Sequence, residues 1–176
     1  MQKSATLWIN VLGGLAVLGS YAYGLGTHPE QGQQLWGTIP EGLRGIYTGM
    51  RLPAAVGYLT FTGYVLLASP ASLRISDRPI LTILNVNYAI FLVTAATWMP
   101  LCWIALDGQA EWLLLPIQGV LALTGLASLG FVALLVFLDD PPKPRFRKLA
   151  LAGAICLFIQ CGILDALVWP RFFTLG

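Results

Sequence analysis

Charged residues are scarce in this sequence: only 10% of its 176 residues are Asp, Glu, Lys or Arg. Soluble domains carry about 25% charged residues, so water is not the main solvent around this chain. Hydrophobic residues make up 57% of the sequence. This excess excludes an ordinary soluble domain and predicts that most of the chain lies in a lipid bilayer.

Side chains that bind metals and haem are equally scarce. His28 is the only histidine, which excludes paired-histidine haem ligation and argues against a histidine-rich metal site. The three cysteines, Cys102, Cys156 and Cys161, form no Cys-x-x-Cys motif and no even disulfide framework. We expect them to pack as small apolar side chains. No metal and no cofactor is therefore predicted.

Motifs for catalysis are also missing. The sequence has no nucleophile motif, no phosphate-cradling loop and no metal-ligand spacing. Asp107, Glu111 or Asp165 would be available as an acid or base, but no motif pairs them with a nucleophile. A small membrane enzyme is therefore less favoured than a binding or accessory protein. A transporter is less favoured as well, because the five apolar segments described next show no internal repeat.

Apolar residues occur in five long blocks, at about residues 7–25, 52–69, 80–106, 111–138 and 146–169. Each block reaches or approaches the ~17 to 25 residues that a helix needs to cross a hydrocarbon layer of ~30 Å. Membrane-spanning strands would alternate polar and apolar residues, and no such alternation occurs. The sequence predicts an all-α integral membrane protein, a single domain over residues 1–176 with a bundle of five transmembrane helices. The first block is expected to be an uncleaved anchor rather than a signal peptide.

Basic residues are distributed unequally between the two sides of such a bundle. Seven of the ten fall at the N-terminus and in the second and fourth connections: Lys3, Arg74, Arg78, Lys143, Arg145, Arg147 and Lys148. The other three are Arg44, Arg51 and Arg171. The positive-inside rule therefore predicts a cytoplasmic N-terminus and an extracytoplasmic C-terminus, in a bacterial inner membrane or its equivalent. The basic loop at residues 143–148 is expected to meet anionic lipid headgroups, and it is too short to indicate a nucleic acid partner.

The first outer connection, over residues 26–51, contains a pattern typical of a helix start. Thr38-Ile39-Pro40-Glu41 offers Thr38 as the N-cap and a proline in the first turn. We expect a short interfacial helix that ends near Tyr47 and lies across the outer mouth of the bundle. Pro53 would then begin the second transmembrane helix. An irregular loop is the alternative.

Asp165 lies within the last apolar block and requires an explanation. An ionisable side chain at bilayer depth costs at least ~2.5 to 3.5 kcal/mol on insertion scales, so such residues usually face the protein interior and have a partner. Asp165 precedes Trp169 by four residues, which places it about 6 Å inside the outer end of its helix. Its position is therefore shallow rather than central.

Aromatic and polar residues at a similar depth predict an outer pocket around Asp165. The candidate ligand-binding residues are Asp165, Arg51, Tyr58, Trp98, Gln118, Trp169 and Trp103. Aromatic side chains of this kind bind apolar or cationic ligands by stacking and cation–π contacts. The alternative is an ion pair between Asp165 and Arg51 that fixes the fifth helix against the second, with the tryptophans forming an interfacial belt.

Polar residues in the third block form a secondary, inner cluster of Asn85, Asn87 and Tyr88. With the outer pocket, they indicate a small polytopic membrane protein that binds a lipid-like or aromatic small molecule. The alternative is an accessory or structural subunit of a membrane complex, whose polar faces contact a membrane-protein partner or a second copy of the chain. Both alternatives place the whole protein in the bilayer.

The stretch Trp98-Met99-Pro100-Leu101-Cys102-Trp103 is similar to the Trp-x-Pro pattern in the third span of the translocator-protein family, whose members are five-helix proteins that bind lipophilic molecules. Leu113-Leu114-Leu115-Pro116-Ile117 resembles that family's Leu-Leu-x-Pro-Tyr pattern, but it opens the fourth span and lacks the tyrosine. The likeness covers only these two stretches. It implies the same kind of fold and ligand without assigning the chain to the family.

Overall fold

The computed structural model describes residues 2–29, 31–139 and 143–175, and this part of the chain is almost entirely helical. The long helices are α1 (Gln2–Thr27), α2 (Glu41–Leu67), α3 (Leu81–Gly108), α4 (Leu114–Val136) and α5 (Pro144–Phe158). α5 continues directly into a π-helix, Ile159–Val168. The connections contain short 3₁₀ segments and one hairpin of β1 (Arg74–Ile75) and β2 (Arg78–Pro79). The predicted all-α class is confirmed.

Four helical segments in the described part of the chain are long and apolar enough to cross a membrane. They are Lys3–Thr27, Leu81–Gly108, Glu111–Val136 and Pro144–Arg171. α2 is not among them, and its first half carries Glu41, Arg44 and Arg51. A chain with four such segments is a membrane-embedded protein, as the composition predicts.

The second helix begins earlier than the sequence pattern predicts. α2 starts at Glu41 and runs through Pro53 without a break, so the expected interfacial helix is the first part of α2. A proline inside a helix removes one backbone hydrogen bond and costs ~3 kcal/mol or more. Contacts along α5 and the π-helix offset this cost. Thr38 is not the N-cap; its backbone N–H instead donates to the carbonyl oxygen of Phe172 at 2.9 Å.

The helices pack in an order that differs from their order along the chain. α1 packs against α3, α3 against α4, α4 against α5 and the π-helix, and α5 against α2. α2 and α5 come into backbone contact at Gly57 and Gly153, where a Cβ on either residue would collide with the backbone of the other. Small residues allow such close approach between membrane helices. α2 is therefore held along its length by the last helix of the chain.

Each end of the bundle has its own apolar cluster. The cluster nearer the hairpin is centred on the rings of Phe61, Tyr88 and Phe131, which pack with centroids 4.8 to 5.7 Å apart. The other cluster includes Tyr47, Cys102 and Trp169, and it lies beside the first connection and the C-terminal residues. We call these two ends the hairpin end (residues 70–80 with Asp139) and the first-loop end (residues 31–40 and 169–175).

Candidate functional site

A cavity of about 390 Å³ lies at the first-loop end, between α1, α2, α3 and the π-helix. Four of the seven predicted site residues line it: Asp165, Arg51, Trp98 and Trp169. Further lining comes from Tyr21, Trp36, Tyr47, Gln160 and Cys161. The structure thus brings the predicted carboxylate and aromatic residues together in one concave site.

The π-helix places two polar side chains side by side in the cavity wall. Gln160 Nε2 donates a hydrogen bond to Asp165 Oδ1 at 2.9 Å. In an α-helix, residues five positions apart point roughly 140° away from each other, whereas the wider π-helix pairs positions i and i+5. Gln160 is only 8% exposed, and its Oε1 atom has no hydrogen-bond partner. The irregular helix therefore forms an acceptor site from Gln160 and Asp165.

Two of the three tryptophans that line the cavity, Trp98 and Trp169, are held by hydrogen bonds from their indole N–H groups. Trp98 Nε1 donates to the hydroxyl of Tyr21 at 2.6 Å, and Trp169 Nε1 donates to the carbonyl oxygen of Leu35 at 2.8 Å. The two indole rings meet edge to face with centroids 5.8 Å apart. Because both N–H groups are satisfied by the protein, this wall is fixed and offers mainly apolar ring surface.

The first connection is tied to the end of the chain and covers the cavity. Gly37 has a φ of 50°, a conformation that favours glycine, and a Cβ there would collide with the backbone of Phe172. The Thr38 hydroxyl donates to the Phe172 carbonyl oxygen at 3.2 Å. Below this cover, the Tyr47 hydroxyl donates to the carbonyl oxygen of Leu164 in the π-helix at 2.6 Å. The cavity is therefore bounded by fixed elements.

Arg51 lines the cavity without forming the predicted ion pair. Within the described residues the ion pair that forms joins His28 and Asp107, with Nε2 and Oδ2 3.1 Å apart. The guanidinium carbon of Arg51 instead lies 5.0 Å from the ring centroid of Trp36, a cation–π distance. An Asp165–Arg51 ion pair is therefore not what fixes the last helix against α2.

Three predicted site residues lie outside the cavity. The Tyr58 hydroxyl donates to Asn10 Oδ1 on α1, and its ring stacks on Phe91. Gln118 is exposed on the surface of α4. Trp103 is buried against the ring of His28, with centroids 4.5 Å apart and the planes nearly parallel. Tyr58 packs with the apolar cluster of the hairpin end, whereas Gln118 and Trp103 point away from the cavity around their helices.

The three residues of the predicted inner cluster bond to different neighbours. Asn85 Oδ1 accepts from the Thr6 hydroxyl on α1, Asn87 Nδ2 donates to the Ala127 carbonyl oxygen on α4, and the Tyr88 hydroxyl donates to Thr62 on α2. Their distances are 2.6, 2.9 and 3.0 Å. The three side chains therefore point at three different helices and hold α3 in the bundle.

Sequence reasoning missed three residues that matter to the site. Gln160 lies five residues before Asp165, and a regular α-helix would point the two side chains away from each other. Tyr21 is at the depth expected of an interfacial aromatic residue, but nothing in the sequence indicates that its hydroxyl accepts from Trp98. Trp36 belongs to the first connection, whose fold over the cavity has no sequence signature.

Comparison with known proteins finds no matching family model, no similar curated protein and no similar solved structure. The local resemblance of residues 98–103 to the translocator-protein family is thus not accompanied by a match over the chain. Function must be inferred from the geometry and chemistry of the site itself.

Proposed function

We propose that this protein binds a lipid-like or aromatic small molecule in the cavity at the first-loop end. The cavity itself supports the proposal most strongly: its volume of about 390 Å³ falls within the ~300 to 1,000 Å³ of small-molecule sites. Its wall combines several aromatic rings with one polar pair, the usual composition of such a site. Aromatic pairs contribute about 0.5 to 1.5 kcal/mol each beyond the apolar area they bury.

The alternative role, as an accessory or structural subunit, has less support. It rested on polar residues in α2 and α3 that would contact a partner protein. Tyr58, Asn85, Asn87 and Tyr88 all bond to side chains or carbonyl groups inside the bundle. These side chains are therefore already hydrogen-bonded within the bundle. Ligand binding in the cavity better explains the polar pair that lines it, Gln160 and Asp165.

We further propose that α2 is a fifth transmembrane helix. Its 27 residues extend about 40 Å at 1.5 Å per residue. Lys3 Nζ donates to the Leu66 carbonyl oxygen at the end of α2, while Tyr47 near its start donates to Leu164 in the π-helix. These contacts join α2 to the start of α1 and to the end of the last helix, so it extends alongside both. The basic residues then favour a cytoplasmic hairpin end and an extracytoplasmic first-loop end.

The hairpin end offers a second place where lipid would bind. A groove of about 490 Å³ between α2 and α5 is lined by apolar residues such as Leu59, Leu67 and Leu149, and Lys143 lies in its wall. The groove would accommodate an acyl chain, and Lys143 would attract an anionic headgroup. Such attraction contributes about 1 kcal/mol of binding free energy per basic residue near a membrane surface. Arg147 contributes less, because it donates to the Leu135 carbonyl oxygen at 2.9 Å.

A cavity-filling substitution tests the main proposal. Gly32 lines the cavity, and a Cβ there meets no atom within 4 Å, so the backbone has room for a side chain and Gly32→Phe is designed to place a ring in the cavity. Gly42 also has no atom within 4 Å of a Cβ and is exposed on α2, which makes Gly42→Phe the matched control. Each protein would be purified in mild detergent, and its co-purifying small molecules would be identified by mass spectrometry.

We expect the wild type and Gly42→Phe to retain the same hydrophobic compound near stoichiometric amount, and Gly32→Phe to retain at least about tenfold less, since the ring displaces it. A wild-type protein with no bound small molecule, or equal retention in Gly32→Phe, would contradict the proposal. The same spectra test the groove: Lys143→Ala should lower the ratio of anionic to zwitterionic lipid that is retained.

A further inference from the structure

We infer that the ligand carries a hydroxyl group on a flat apolar body, and that this hydroxyl binds between Gln160 and Asp165. The inference rests on the proposed function, because it specifies the chemistry of a molecule in the same cavity. It depends on the polar atoms that line the cavity and on which of them the protein leaves without a partner.

Gln160 Oε1 is the first of these atoms. The side chain is more than nine-tenths buried, and Oε1 has no hydrogen-bond partner although Nε2 donates to Asp165. A buried acceptor left without a donor is destabilising. Gln160 lines the cavity, so a ligand in the cavity is able to supply the missing donor.

Asp165 adds further acceptor capacity beside it. A carboxylate has about four lone-pair sites, and the hydrogen bond to Asp165 comes from Gln160 alone within the described residues. No cation lies within ion-pair distance of Asp165 in that part of the chain. The pair therefore presents several acceptor positions on one side of the cavity, and a hydrocarbon or ether ligand would leave them unsatisfied.

Tyr21 and Arg51 favour a hydroxyl over an ammonium group. The Tyr21 oxygen accepts from Trp98, so its own O–H remains available to donate into the cavity that it lines. A hydroxyl both donates and accepts, whereas an ammonium group has no acceptor. The positive charge of Arg51 in the same wall also offsets the attraction of the Asp165 carboxylate for a cationic ligand. The lining thus matches a neutral alcohol or phenol.

Two probe compounds of nearly equal shape test the inference. 2-Naphthol carries the hydroxyl, and 2-fluoronaphthalene replaces it with a group that cannot donate. Binding of each would be measured by saturation-transfer NMR with the protein in lipid nanodiscs, with empty nanodiscs as the reference for partition into lipid. One neutral hydrogen bond is worth about 0.5 to 1.5 kcal/mol, so we expect 2-naphthol to bind roughly three- to tenfold more tightly.

Matched variants locate the effect. Gln160→Met removes the unpaired acceptor while keeping a side chain of similar length, and it should bring the affinities of the two probes to within about twofold. Gln118→Met makes the same change at an exposed position outside the cavity and should keep the wild-type preference. The comparison of the two probes on the wild-type protein tests the preference for a hydroxyl even if Gln160→Met does not fold.

The outcomes separate this inference from the proposed function. If both probes bind with equal affinity and Gly32→Phe abolishes both, the cavity binds ligands but does not select a hydroxyl, and the inference is wrong. If neither probe binds above the level of empty nanodiscs, the proposed function is contradicted and the inference with it.

Discussion

At the scale of single residues, Asp139 shows how one carboxylate joins two connections at the hairpin end. It accepts hydrogen bonds from the backbone N–H groups of Asp77 and Ser76, both at 3.0 Å. These two residues have φ values of 61° and 49°, which side-chain-bearing residues rarely adopt. The backbone donors of Asp77 and Ser76 hold the pKa of Asp139 below its ordinary value of 3.8.

This contact predicts acid sensitivity of the hairpin end. Because the pKa of Asp139 is lower in the folded state, its stabilising effect is complete above the unfolded pKa of about 4 and is lost as the pH falls through the folded pKa. We expect the thermal unfolding midpoint to fall more steeply between about pH 5 and pH 3 in the wild type than in Asp139→Asn. Asp77→Asn keeps the backbone donor and should behave like the wild type; equal acid sensitivity of all three would contradict the assignment.

Some site residues were predictable one by one, and their partners were not. Asp165 is a carboxylate within an apolar block. The free-energy cost of placing a carboxylate in a bilayer makes it a candidate site residue from sequence alone. Trp98 and Trp169 were predicted as site residues because they lie near the end of a membrane helix. The partner predicted for Asp165 was Arg51, but Gln160 holds it, because the choice between partners depends on the direction of each side chain around its helix.

At the scale of elements, the two irregularities that shape the site both escape sequence patterns. The periodicity of apolar residues assumes 3.6 residues per turn, so it cannot reveal that residues 159–168 form a π-helix. Proline at position 53 is a normal signal of a helix start, yet α2 begins twelve residues earlier, at Glu41. Composition indicates the apolar second half of α2 as one of five blocks, whereas its polar first half, from Glu41, packs within the bundle without such a signal.

The proposal that α2 crosses the membrane predicts where introduced cysteines are accessible. Gln34 and Arg78 are exposed in the connections, and Lys148 is exposed near the start of α5. Each would be changed to cysteine in a chain whose native cysteines are alanine. If α2 crosses the membrane with the hairpin end inside, an impermeant maleimide labels Gln34→Cys in intact cells. It labels Arg78→Cys and Lys148→Cys only after permeabilisation. Labelling of Gln34→Cys and Arg78→Cys from the same side would show that α2 does not cross.

At the scale of the whole molecule, the cavity exists because distant parts of the chain meet. Its walls come from α1, α2, α3 and the π-helix, and residues 31–40 and 169–175 cover it through the bond from Thr38 to Phe172. The packing order in which α5 lies between α4 and α2 is not readable from five apolar blocks. Composition therefore predicts the membrane environment and the class of fold, whereas only the assembled bundle brings the residues that line the cavity together.

The central claim, that this cavity holds a flat apolar molecule, is tested most directly by photolabelling with an aryl diazirine in the membrane and mapping the modified residues by mass spectrometry. We expect labelling of Trp98 and Trp169 to saturate with probe concentration and to fall with excess 2-naphthol and in Gly32→Phe. Trp112, which is 74% exposed, should be labelled in proportion to probe concentration. Labelling of Trp98 and Trp169 that neither saturates nor responds to competition would contradict the claim.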